Sequence, residues 1–127
     1  MDSFDRYFTI EEASALLEEL LPVIEDVMAI RNRIIEIRPE LESGLEKAMG
    51  NGGSHATGEL LDLMSRVSRL VDQIQATGVL MKDLDRGLLD FPSDRDGQVV
   101  FLCWQYGEPT IAYWHDIEAG FTGRQLL

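Results

Sequence analysis

The chain has 127 residues and a mass of 14.3 kDa, which is room for one domain. Eleven Lys and Arg face 23 Asp and Glu, giving a net charge of -12 and a pI near 4.4. That balance argues against neutralising a row of nucleic-acid phosphates or docking on an anionic bilayer.

Apolar residues make up 45% of the chain, enough to predict a folded core. The single cysteine leaves no internal disulfide and no multi-cysteine zinc site. No apolar run approaches the ~18 residues of a membrane span. The segment from Met1 to Thr9 is charged rather than signal-like. A soluble, cytoplasmic protein is the expectation.

The first helix opens at Thr9, with Glu12 three positions on, the spacing of a capping box. Ala13, Leu16, Leu17, Leu20, Ile24, Val27 and Met28 then recur at three- and four-residue steps, one face of a helix. Pro22 predicts a kink or a break, and Pro39 predicts the end of the helix. Residues 10–38 would span about 43 Å. A flexible loop is expected at about 43–58, around Gly50, Asn51, Gly52, Gly53 and Ser54. A second helix starts near Thr57, carries a stripe from Leu60 through Ile74, and stops at Gly78. Each stripe needs an apolar partner, and an antiparallel, coiled-coil-like hairpin gives each the other.

After Gly78 the period changes. Residues 87–91 read as a strand ending at Pro92, and Ser93 to Gly97 as a turn with Asp-Gly at its end. Residues 99–104 read as a second strand, 105–109 as a turn, and 110–115 as a third strand. The predicted fold class is α+β: a long antiparallel helical hairpin followed by a three-stranded antiparallel β-meander and a docked C-terminal tail. Residues 1–127 form a single domain, with the hairpin over 1–78 and the meander and tail over 79–127. Both faces of the middle strand are apolar, so the helices should cover one, and the tail or a second subunit the other.

Several motifs resemble a known family: Gly87-Leu88-Leu89-Asp90-Phe91-Pro92, Leu102-Cys103-Trp104, Gly107-Glu108 through Trp114-His115, Gly120-Phe121-Thr122-Gly123-Arg124, and the opening Tyr7 to Ala13. Together they resemble the bacterial family catalogued as domain of unknown function 2203, over the whole chain except the loop around 43–58. Leu126 departs from the pattern, where proline is expected. The resemblance implies no activity and makes no residue catalytic.

The chain has no phosphate-binding Gly-Lys-Ser/Thr loop, no His-Glu-x-x-His and no Gly-x-Ser-x-Gly. Cys103 with His115 would suggest a thiol nucleophile and its base. Pairing Trp104 with Thr110 across a five-residue loop puts His115 opposite Val99, about 13 Å along the ladder from Cys103. On that register a slip of one or two residues does not join them, and a buried structural thiol is the better reading. His115 then lies at the open end of the sheet, where Asp90, Asp94, Asp96 and Asp116 gather. A histidine among carboxylates can bind a divalent metal or form an acid–base pair. The candidate metal ligands are His115, Asp90 and Asp96.

Asp83, Asp85 and Arg86 read as a polar turn bonding its own backbone, with a hard-cation site as the rival. Glu108 is expected on the rim or paired with an arginine. Arg124 is a candidate anion contact or the partner of an acid. The candidate functional site is therefore His115, Asp90, Asp96, Asp116, Glu108 and Arg124. The leading functional expectation is a non-catalytic interaction or scaffold protein acting as a homodimer, with a further protein partner open. The alternative is a divalent-metal-binding or acid–base enzyme at His115, and no other cofactor is expected.

Overall fold

The computed structural model describes residues 3–51 and 55–127, the side chains of 40–51 excepted. It has the expected α+β order. Two helices, α1 (Ile10–Asn51) and α2 (His55–Gln75), precede β1 (Leu80–Asp83), β2 (Leu88–Arg95), β3 (Gln98–Gln105), β4 (Tyr113–Asp116) and β5 (Gln125–Leu126). The strands form one antiparallel sheet in sequence order. The sheet thus has five strands rather than three: the short apolar run before Gly87 and the tail each add an edge. Among the described residues no helix is long and apolar enough to cross a membrane.

The capping box forms as read. Thr9 N–H donates to Glu12 Oε1 at 2.9 Å, and Glu12 N–H donates to Thr9 Oγ1 at 3.1 Å. Neither proline breaks α1, which runs 42 residues through Pro22 and Pro39. Both prolines sit on exposed positions, as do Glu18 and Ile35, whose carbonyls they leave without a donor. Water can serve those carbonyls, while the inner face stays buried along the helix. Of the expected loop at 43–58, residues up to 51 and from 55 onward are helical, and 52–54 lie outside the described residues.

Leu89, Phe91, Leu102 and Trp104 of one sheet face pack on Phe8, Leu16, Leu20, Ile24 and Val27 in the main core. Farther along the hairpin, Ile30, Ile37 and Leu63 form a second small core. β2 runs on through Pro92 to Arg95, and the turn shrinks to Asp96 and Gly97, with φ of 54° and 85°. Two consecutive positive φ values make the two-residue hairpin that matches strand twist. Asp94 Oδ1 accepts from Gly97 N–H at 2.8 Å.

Gly87 joins the sheet to α1. Its φ is +65°, and an added Cβ would lie 2.6 Å from Tyr106 Cβ and 3.1 Å from Met28 Sδ. Gly87→Ala is expected to lower unfolding free energy by about 2–4 kcal/mol, from left-handed strain plus overpacking. Gly97→Ala, at φ +85° with nothing within 4 Å of its Cβ, is expected to lose only the strain. Denaturant unfolding of both variants checks the difference.

Candidate metal centre

The Asp96-Gly97 turn sets the register Arg95↔Gln98, and counting back along the hairpin puts Asp90 opposite Cys103. On the other side of β3, Cys103 pairs with Tyr113 and Phe101 pairs with His115. His115 is therefore opposite Phe101, not Val99, and only two positions along from the level of Cys103. The cause is the connection after β3. Gln105 N–H donates to Glu108 Oε1 at 2.6 Å, Glu108 N–H donates to the Gln105 carbonyl at 3.0 Å, and the Trp104 indole donates to the Glu108 carbonyl at 3.0 Å. This knot uses up the turn at 105–108, and the chain reaches Tyr113 before pairing resumes. The expected 13 Å separation of Cys103 and His115 is corrected accordingly.

Asp90, Cys103 and His115 share the sheet face turned away from the helices. One donor atom from each lies within 4.8 Å of the other two. The residues are 2%, 0% and 2% exposed. His115 Nδ1–H donates to the Asp116 carbonyl at 2.7 Å, and Nε2 faces Asp90 Oδ1 at 3.0 Å. A carbonyl only accepts, so Nδ1 carries a proton. One further proton must then lie between Nε2 and Asp90. Burial pushes the Asp90 carboxyl above its ordinary range, against the pull of His115, Cys103 and Lys82. The Cys103 thiol hydrogen-bonds Asp90, and burial, with the Asp90 charge, pushes it up to about 12.

The surroundings are aromatic and cationic. Phe101 meets His115 edge-on at 5.5 Å between centroids, and Phe4 packs on Phe101 at 5.4 Å. Lys82 Nζ lies 4.7 Å from the Phe101 ring centroid. Arg124 stacks 3.8 Å from the Tyr113 centroid, and its Nη2 donates to Glu108 Oε1 and Oε2 at 2.8 and 2.6 Å. Phe4 and Arg124 of the tail thus lie against this face, for which the sequence left a choice between tail and second subunit.

Of the expected site residues, His115 and Asp90 meet, and Glu108 and Arg124 pair close by. Asp96 does not join them: it occupies the exposed Asp-Gly turn. Asp116 contributes its carbonyl, while its carboxylate accepts from Gln98 Nε2 at 3.2 Å. No open rim of acids forms, since the imidazole lies inside the sheet. Cys103 is the ligand candidate that sequence reasoning set aside. Its signal was the Asp-Gly dipeptide, which as a two-residue turn fixes Asp90 opposite Cys103. Asp83 behaves as the polar-turn reading expects, its Oδ1 accepting from the Asp85 and Arg86 N–H groups at 3.0 and 3.2 Å.

A thiolate, an imidazole and a carboxylate from three neighbouring strands are a donor set suited to zinc-class ions rather than Mg²⁺ or Ca²⁺. Donors around tetrahedral zinc sit about 3.3–3.6 Å apart, so Asp90 and His115, at 3.0 Å, would open slightly. The Nδ1–H bond to the Asp116 carbonyl already orients Nε2, as such hydrogen bonds to the other ring nitrogen of a metal-bound histidine do.

The chain belongs to the family described as "Uncharacterized conserved protein (DUF2203)", whose model matches residues 6–127. Among curated proteins and solved structures, none matches it.

Proposed function

We propose that this protein is a non-catalytic module that holds one zinc-class divalent ion through Asp90, Cys103 and His115. The observation that carries the reading is the convergence of three chemically different donors within 4.8 Å in a buried site. Charge balance supports it. The metal-free cluster, with one proton shared by Asp90 and His115 and one on Cys103, is neutral. The loaded cluster, with carboxylate, thiolate, neutral imidazole and a divalent cation, is neutral as well. A buried site can exchange the two forms without stranding a charge.

Access favours holding over turnover. A substrate would have to reach residues that are at most 2% exposed, beside the Phe101 ring. The ion would instead tie β2, β3 and β4 together beside the helical arm, which suits a scaffold role.

The test is metal content of untagged protein, stripped with chelator and reloaded with Zn²⁺. One ion per chain is expected, with stabilisation of about 4 kcal/mol at free zinc near 1,000 times Kd. The shape-preserving variants Cys103→Ser and Asp90→Asn should lose both. Folded wild-type protein that retains no zinc at micromolar concentration would end the proposal.

A further inference from the structure

Residues 117–127 are the least anchored part of the sheet region. None of them is buried, whereas Asp90, Cys103 and His115 are. β5 has only two residues, both exposed, which pair with Tyr113 and Trp114. One more backbone bond, from Leu127 N–H to the Ala112 carbonyl at 3.0 Å, ends the segment. Few buried contacts and exposed backbone bonds mark segments that open before a whole domain unfolds.

The main tie to the body is a side-chain contact. Arg124 Nη2 donates to both carboxylate oxygens of Glu108, and both side chains are mostly buried. Glu108 is fixed independently, since its Oε1 also accepts from Gln105 N–H and its own N–H closes the turn after β3. The Arg124 guanidinium lies on the ring of Tyr113, the cross-strand neighbour of Cys103. The Phe121 ring meets Arg124 at 4.6 Å and Arg86 of the β1–β2 turn at 5.0 Å. These contacts draw the segment from β4 toward the β1–β2 turn, on the face that carries the three donors. Arg124 and Glu108 are close enough for their charges to act on the Cys103 thiol.

The closed position leaves a donor unmet. Glu108 takes only Nη2, and Arg124 Nε is buried without a hydrogen-bond partner among the described residues. A buried donor without a partner costs free energy, which water returns when the segment opens.

We propose that residues 117–127 are a strap that opens while the rest of the sheet stays folded, with the Arg124–Glu108 contact as its latch, and that its opening sets the rate at which a divalent ion reaches Asp90, Cys103 and His115. The inference rests on the metal reading and adds its regulation. An ion must pass to residues at most 2% exposed, so a covering element has to move. Once the strap leaves, β4 is the edge of the sheet, held to β3 by four residue pairs where β2 and β3 share eight. His115 is the donor on that short strand.

Two rates measured on the full chain test the strap. The first is iodoacetamide labelling of Cys103 in metal-free protein, followed across low urea concentrations. Arg124→Gln should label about tenfold faster than wild type, the least expected for losing a charge-assisted hydrogen bond. Phe121→Ala, which leaves the latch in place, should label about fivefold faster through loss of the guanidinium–ring contacts. Neither residue is buried, so both variants should keep the wild-type circular dichroism. Labelling at low urea should be nearly flat, because a local opening exposes little surface. The second rate is Co²⁺ uptake by stopped flow. It should rise by the same factors with equilibrium affinity unchanged, since the latch closes the empty and loaded forms alike. Bound Co²⁺ with wild-type rates in both variants overturns the strap alone, as does labelling that climbs with urea as steeply as global unfolding. Faster rates in Phe4→Ala only would place the gate in the N-terminal segment and also overturn it. Folded wild type that binds no Co²⁺ overturns the metal reading, and the gate falls with it.

Discussion

Asp90→Ala is expected to destabilise the metal-free protein by about 3–5 kcal/mol, the range for removing one partner of a buried charged pair. Asp90 is the hub of the cluster: its carboxylate faces His115 Nε2 at 3.0 Å and also takes the Cys103 thiol. Alanine strands both groups in a site shut off from water. Asp90→Asn should behave differently. Its amide N–H can donate to a neutral Nε2, since Nδ1–H is held by the Asp116 carbonyl, and its oxygen can accept from the thiol. The loss should fall to about 1 kcal/mol, the net worth of an ordinary hydrogen bond. Urea unfolding with unchanged m-values reads both numbers. Equal losses for the two variants would mean that the buried hydrogen bonds are not what holds the cluster.

The second large effect is on pH. Zinc needs a thiolate, and the free thiol is pushed up to about 12, so binding near neutrality expels its proton. Zinc also needs the Nε2 lone pair, so the proton between Asp90 and His115 leaves too. Two protons released per ion make affinity rise about 100-fold per pH unit through neutrality and fall equally steeply on acidification. Chelator competition at a series of pH values measures the slope, and calorimetry in buffers of different ionisation enthalpy counts the protons. A slope of one would mean that only one of these two protons is displaced by the ion. In the metal-free protein the thiol acts in the opposite direction. Its ionisation moves from 9.0 unfolded to about 12 folded, so above the unfolded value the unfolded chain loses the proton while the folded chain keeps it. Stability should therefore fall as pH rises through that window.

Much of this was legible in residue order because it rests on local chemistry. Thr9 and Glu12 cap α1 from positions three apart, the α2 stripe declares its buried face, and Asp83 binds its own turn. The parts that were not legible rest on contacts distant in sequence. Pro22 read as a kink or a break and Pro39 as the helix end, yet the inner face of α1 gains enough from α2 and the sheet to carry the helix through them. Pro92 likewise read as the end of a strand, but β2 continues to Arg95. The position of His115 depends on where pairing resumes after the Glu108 knot, and Arg124 holds that glutamate from sixteen residues away. A shift of two residues keeps every side chain on the same face while moving one row toward another. Sequence reading therefore found the imidazole and its acid but put the thiol out of reach.

The absorption spectrum of Co²⁺ added to the chelator-stripped protein without oxygen reads the three-donor site itself. One equivalent should bind, with tetrahedral-type visible bands and a thiolate-to-cobalt charge-transfer band in the near ultraviolet. That band should vanish in Cys103→Ser. A cobalt spectrum with no thiolate band, or one unchanged by Cys103→Ser, would contradict that three-donor set.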